Sequence, residues 1–144
     1  MSDDVPSIIS HVSLGTRDMA RALPFYDAVL ATVGATRQEQ VALDGVGLVA
    51  VAYGKRFPEF WIQLPENRVP ASVGNGVHVG FIAPDKASVQ RFHEVALSAG
   101  GTDDGAPGPR PHYGEPYYGC FVIDLDGNKI EAAFWDASKE ADDD

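Results

Sequence analysis

One cysteine, Cys120, stands alone in 144 residues. No disulfide can form within the chain, so the fold depends on a buried apolar core, and a reducing cytoplasm is the expected location. No apolar run approaches the roughly eighteen residues that a membrane-crossing helix needs. Met1-Ser2-Asp3-Asp4 lacks the basic and apolar regions of a signal peptide, so a cytoplasmic chain without a membrane partner is expected. Positive charge is scarce: 11 Lys and Arg face 21 Asp and Glu, a net charge of −10. The cations are scattered singly apart from Lys55-Arg56, which argues against a nucleic-acid partner because that binding relies on clustered cations neutralising phosphates. Residues 136–144 hold five acids and one lysine and read as a frayed, solvated tail. Also missing are a Ser-His-Asp arrangement, a phosphate-cradling glycine loop and zinc-ribbon cysteine spacing.

What the chain does have is an internal repeat, the feature that bears most on a fold reading. His11-Val12 is followed by Asp18, Ala20, Phe25, Leu30 and Gly34. His78-Val79, 67 residues further on, is followed by Asp85, Ala87, Phe92, Leu97 and Gly101 in the same spacing. With the offset grown to 68, Ile62-Gln63 falls opposite Ile130-Glu131. The repeat therefore aligns His with His and Gln with Glu.

Each half reads as strand, helix and three strands. Residues 8–15 alternate as a strand, with Val12 and Leu14 on one face and Ile9, His11 and Ser13 on the other. Asp18 suits a helix N-cap, and Pro24 predicts a loose first turn with regular helix beginning near it. Residues 35–41 and 46–53 read as strands around an Asp44-Gly45 turn, and residues 59–64 as a fourth strand in which Trp61 and Gln63 share a face. The second half repeats this order: a strand over 77–83, a helix from Pro84-Asp85 to Ser98 or Ala99, a short strand near Thr102, and strands over 117–125 and 129–135. A long loop rich in Pro, Gly and Tyr is expected between Gly105 and Gly119. The domain reading is one domain of 144 residues, with module 1 over 8–64, a linker over 65–76, module 2 over 77–135 and the tail beyond.

Four strand positions carry polar groups among apolar neighbours: His11, Gln63, His78 and Glu131. Two imidazoles and a carboxylate suit Fe(II), Mn, Ni, Co or Zn, and three protein ligands leave positions open for water and substrate. Gln63 would be a fourth, weak ligand through its carbonyl oxygen, or a substrate partner. Trp61 lies on Gln63's face and reads either as pocket lining or as sheet packing. Arg110, His112, Tyr113, Tyr117 and Tyr118 surround the Pro-rich loop. They read as a lid, with Arg110 and Tyr113 contacting substrate and His112 or Tyr118 donating a proton, or else as a stiff loop filled by tyrosines. A histidine taken singly fits a satisfied core position. His93 reads as a helix-side histidine and Cys120 as a buried, inert thiol.

The repeated halves, the His11 and His78 strand starts, the helices with Phe seven residues after Asp, and Asp124-Leu-Asp-Gly-Asn-Lys-Ile-Glu131 resemble the vicinal oxygen chelate superfamily. That superfamily includes glyoxalase I, extradiol dioxygenases, fosfomycin-resistance enzymes and metal-free bleomycin-binding proteins. Leu125 stands where its ending usually has Pro. The resemblance implies an α+β fold in which two βαβββ modules form a curved, half-barrel mixed sheet with outer helices. It also implies metal ligands at His11, His78 and Glu131, with Gln63 where glyoxalase I has Glu.

The function so implied is a glyoxalase-like metal-dependent lyase or isomerase chelating a small vicinal-oxygen substrate, with Glu131 catalytic and glutathione a candidate co-substrate. A neutral Gln63 cannot serve as a base, so Glu131 alone would move the proton. The alternatives are an Fe(II) ring-cleaving dioxygenase, a transferase acting on an epoxide such as fosfomycin, and a metal-free ligand-binding protein. The scarcity of clustered cations weakens the epoxide reading. The expected partners are a small molecule and a second copy of the chain.

Overall fold

The computed structural model describes residues 5 and 7–139; residues 140–144 of the acidic tail lie outside the described residues. Module 1 runs β1 (Val12–Gly15), α1 (Met19–Ala31), β2 (Thr36–Leu43), β3 (Gly47–Gly54) and β4 (Phe60–Gln63). Module 2 repeats the order with β5 (His78–Ile82), α2 (Lys86–Ser98), β6 (Thr102–Pro109), β7 (Tyr117–Ile123) and β8 (Lys129–Trp135). The fold is the expected α+β pair of βαβββ modules, each a four-stranded mixed sheet. Strand order is β1-β4-β3-β2 in one sheet and β5-β8-β7-β6 in the other. In each, the first strand runs parallel to the last, and the other pairings are antiparallel.

Both helices start where the capping chemistry sets them. The Asp18 carboxylate accepts from Arg21 N at 3.3 Å, and the Asp85 carboxylate accepts from Ser88 N at 2.7 Å. Each satisfies an N–H that the first turn leaves free, worth about 1 kcal/mol. Pro24 does not delay α1, which is regular from Met19 onward. Its missing N–H leaves only the carbonyl of exposed Ala20 without its helical partner, and water can take that place.

Three other expectations change. The first strand is shorter than anticipated, beginning at Val12. The segment after Thr102 is an eight-residue edge strand rather than a loop from Gly105 onward. Pro107 and Pro109 are tolerated there because one side of β6 has no partner and its pairing with β7 shifts register twice. The loop proper shrinks to residues 110–116, with a 3-10 turn over Pro111–Tyr113. At the other end, Ala137–Lys139 form a 3-10 turn rather than a frayed start to the tail. The Asp136 carboxylate accepts there from both the backbone N–H and the hydroxyl of Ser138.

The core is shared by the two modules. α1 supplies Phe25, Tyr26, Val29 and Leu30, α2 supplies Val89, Phe92 and Ala96, and the helices touch one another. Phe60 of β4 meets Phe81 of β5 edge to face at 4.9 Å.

Polar groups close the same seam. The buried Asp124 carboxylate accepts from Tyr26 Oη at 2.6 Å and from Asn128 Nδ2 at 3.0 Å. Its other oxygen accepts from the N–H groups of Asp126 and Asn128. Asn128 Nδ2 also donates to the Gly15 carbonyl at 3.2 Å, and Arg17 N donates to Asp126 at 2.8 Å. The Asp124-Leu-Asp-Gly-Asn segment therefore ties module 2 to the end of β1.

Candidate functional site

Side chains on a strand alternate between faces, so each sheet turns one face to the helices and one away. In module 2, Val79, Phe81, Ile130 and Ala132 pack toward α2. His78, Gly80 and Ile82 of β5, with Glu131 and Ala133 of β8, lie on the opposite face. Gly80 sits directly across from Glu131, two residues past His78. A Cβ at Gly80 would come within 3.1 Å of Glu131 Oε1, so the glycine leaves room for the carboxylate.

His78 Nε2 lies 3.0 Å from Glu131 Oε1. The other carboxylate oxygen accepts from Tyr117 Oη at 2.5 Å. Glu131 is buried, whereas His78 is exposed. Tyr117 reaches Glu131 because Phe121 is paired directly with Glu131, and Tyr117, four residues earlier on β7, shares that face. Burial, followed by the Glu131 hydrogen bond and its charge, raises the Tyr117 pKa above the usual phenol range, so this hydroxyl keeps its proton. Gly119 between the two aromatics keeps the space beneath the phenol free; a Cβ there would collide with Tyr117 Oη.

Aromatic and cationic groups frame the pair. Tyr117 meets Trp135 at 5.1 Å and Tyr113 at 5.0 Å between ring centroids, and His112 lies against Tyr113 at 4.3 Å. Phe121 lies 5.9 Å from the His78 ring, with Lys129 and Arg110 above it. The Arg110 guanidinium folds back onto the carbonyls of Ala106, Gly108 and Pro109.

The remaining candidates lie elsewhere. Tyr118 points to the other side of its sheet, accepting from Gln90 of α2 at 3.0 Å. His11 precedes β1, is exposed, and has Nδ1 2.9 Å from Ser10 Oγ. Trp61 and Gln63 are half-buried on the outward face of the first sheet. Among the described residues of one chain, no three His, Cys, Asp or Glu side chains come together in a metal-binding group. A cavity of about 540 Å³, lined by Ser13, Leu14 and Gly15 on one side and Val77 and His78 on the other, lies between β1 and β5.

The strand ladders also revise the repeat. In module 1 the residue across from Ser13, two past His11, is Trp61 rather than Gln63; Gln63 lies across from Gly15. With His11 matched to His78, the ladders match Trp61 to Glu131, an offset of 131 − 61 = 70. Phe121, Trp135 and Gly80 were not singled out from sequence, and Tyr117 was read only as part of a lid, without its contact to Glu131. The signal for Tyr117 was its parity: it is an even number of residues from Phe121, whereas Tyr118 is not.

His93 pairs with Asp103 across α2 and β6 at 2.8 Å, holding that carboxyl below its usual range. Cys120 is buried, donates to the Val89 carbonyl at 3.6 Å, and has its pKa pushed up to about 11 by burial.

The model of the Glyoxalase/Bleomycin resistance protein/Dioxygenase superfamily matches residues 8–132. A glyoxalase/bleomycin resistance protein from Albidiferax ferrireducens T118 is 35% identical, covering 89% of this chain and 99% of its own, with a TM-score of 0.76. TioX from Micromonospora sp. ML1 is 17% identical over 89% of this chain and 94% of its own, with a TM-score of 0.61. The fosfomycin resistance protein FosX from Listeria monocytogenes is 13% identical over 92% and 97%, with a TM-score of 0.60. At those identities the last two show a common fold alone. No protein of curated function matches this chain.

Proposed function

The chain belongs to the Glyoxalase/Bleomycin resistance protein/Dioxygenase superfamily, and from that premise we propose a glyoxalase-like, metal-dependent enzyme that works as a homodimer on a small substrate with two adjacent oxygens. The observation that carries this reading is His78 Nε2 beside Glu131 Oε1 at 3.0 Å on the sheet face turned away from the core. An imidazole nitrogen and a carboxylate oxygen side by side fit a divalent Ni, Zn, Co, Mn or Fe(II) ion. The third donor is His11 of a second copy. β1 and β5 are both sheet edges, and Ile9, Val77 and Ile82 beside or within them are exposed apolar side chains. Such edges are usually covered by a partner.

A divalent ion held by His11, His78 and Glu131 would supply Lewis-acid polarisation of the substrate oxygens. Tyr117 donates to one Glu131 oxygen and so orients the other toward His78. Glu131 is also the chain's proton-transfer group, because Gln63 is neutral and lies across from Gly15. Glu131 itself is buried, with Phe121 paired directly against it and Tyr117 on its second oxygen. A cytoplasmic site of action suits the single reduced thiol.

One observation favours a second reading. Tyr113 and Trp135, both exposed and each edge to face with the buried Tyr117 beside Glu131, offer ring faces on which a flat aromatic substrate could stack, as a ring-cleaving Fe(II) dioxygenase requires.

Metal analysis of protein purified without chelators, for wild type and Glu131→Ala, tests the proposal together with turnover of methylglyoxal plus glutathione after Ni, Co or Zn loading. Stoichiometric metal that is lost in the variant, with turnover, is the expected result. Metal with oxygen uptake on catechols transfers the assignment to the dioxygenase. Absence of bound metal under every loading condition leaves a ligand-binding protein and overturns the proposal.

A further inference from the structure

A second cavity lies on module 1, at the end of its sheet where β1 and β4 finish. It encloses about 840 Å³ between the β2–β3 hairpin and residues 64–71, within the range that holds a drug-sized molecule. Its wall is built rather than incidental. Gly15 lets the linker come close, since a Cβ there would meet Ala71 Cβ at 2.9 Å. Arg17 Nε donates to the Ala71 carbonyl at 3.0 Å and fixes the linker over the strand end. Leu43, Val46, Val49 and Leu64 line one side with apolar surface.

The polar lining is cationic, in a chain whose net charge is −10. Arg17 and Arg68 both face the cavity, and neither forms an ion pair among the described residues. Other cations are engaged elsewhere: Arg37 with Asp27, Lys129 with Asp104, and Arg110 on the carbonyls of β6. Arg68 has φ of 64°, the one positive value at a non-glycine among the described residues, in a turn closed by Arg68 N to the Pro65 carbonyl. Glu66 also lines the cavity, so the two guanidinium groups outweigh it by one charge. Gln63 adds an amide that can both donate and accept.

We infer that this cavity binds a small amphipathic carboxylate, with its apolar body against Leu43, Val46, Val49 and Leu64 and its head between Arg17 and Arg68. A planar guanidinium matches a carboxylate in two parallel hydrogen bonds, and the apolar wall selects against small inorganic anions. The inference goes beyond the metal reading and does not depend on it. Thr16, the lining residue nearest His11 along the chain, is five residues from it, roughly 17 Å along an extended strand. Gln63 thereby acquires a role as ligand contact.

The test is amide NMR of the full-length, metal-free chain titrated with 4-phenylbutyrate and with the neutral 4-phenylbutyramide. Saturable shifts confined to residues 16–17, 43–50 and 63–71, with the amide binding about tenfold more weakly, are expected. Arg68→Gln should weaken the acid about tenfold and leave the amide unchanged, whereas Arg17→Gln, which also releases the Ala71 carbonyl of the linker, should weaken both but the acid more. A variant that only disturbs the fold would weaken both ligands alike. Shifts elsewhere, equal affinity for acid and amide, or no saturation at millimolar ligand would overturn the inference. None of those results bears on metal binding.

Discussion

Tyr26, on the first helix of module 1, donates a 2.6 Å hydrogen bond to the buried Asp124 carboxylate of module 2. The phenol is itself buried, and burial together with the Asp124 charge raises its pKa well above the ordinary value, so it remains a donor at any ordinary pH. With Asn128 reaching Gly15 and Arg17 N reaching Asp126, this bond makes the two modules share one polar seam as well as one core. Asp124-Leu-Asp-Gly-Asn is therefore a joint between modules, while Glu131 a few residues on carries the proposed chemistry.

Tyr26→Phe removes one hydrogen bond to a charged acceptor and should cost about 1.5–3 kcal/mol. Urea denaturation followed by fluorescence should show a lower midpoint with an unchanged slope, since both modules unfold together. Metal content of the folded variant should equal that of wild type. Two separated transitions would contradict a shared core.

At Glu131 the expected behaviour is different. Tyr117→Phe leaves the carboxylate in place but frees its orientation, and lost second-sphere hydrogen bonds of this kind typically cost 10–100-fold in metal affinity. A competition titration against a chelator reads this directly. An unchanged affinity would remove Tyr117 from the site.

Gly80→Ala tests the same carboxylate sterically. The new methyl group would meet Glu131 Oε1 at 3.1 Å, so the carboxylate must shift by a few tenths of an ångström. Metal affinity should fall while the thermal midpoint moves little, because the Glu131 side chain alone has to give way. Affinity equal to wild type would show that the carboxylate position is not critical.

Asp27 supplies the pH dependence. Burial alone would raise its pKa, but hydrogen bonds from Arg37 and Tyr53 and the Arg37 charge outweigh burial and hold it below the usual carboxylate value. Arg37 grips it with two bonds of 2.8 and 2.7 Å, and Tyr53 adds a third of 2.8 Å. A lowered folded-state pKa means the stabilisation is present above the unfolded value of about 3.9 and is lost as pH falls through the folded one. Asp27→Asn should therefore lower the urea midpoint at neutral pH and flatten its decline below about pH 4. A decline as steep as in wild type would place the acid sensitivity elsewhere.

Much of this was legible in the sequence because the repeat carried it. His78 and Glu131 were two of the four strand positions picked out, with His11 and Gln63, and the Asp18 and Asp85 caps located both helices. Other details were hidden for physical reasons. Aligning Gln63 with Glu131 is off by two residues from the ladder. A two-residue slide keeps every side chain on its own face, so apolar alternation cannot detect it. Tyr117 and Tyr118 are adjacent and chemically alike, and only their pairing with β8 separates the one beside Glu131 from the one beside Gln90. β6 looked like a loop because its glycines and prolines suit an irregular edge as well as a turn. No sequence pattern foretells that residues 64–71 fold over the end of β1 to enclose a cavity.

The central claim, a metal site shared between two copies, is tested most directly by mixing two metal-free variants. His11→Ala and Glu131→Ala should each purify as dimers without bound metal. Co-purified as a mixed dimer, they should regain one metal ion per dimer, because His11 of the Glu131→Ala chain meets the intact His78 and Glu131 of the other. A mixed dimer that stays free of metal while wild type binds it would contradict the shared site, since a site built within one chain is broken in both.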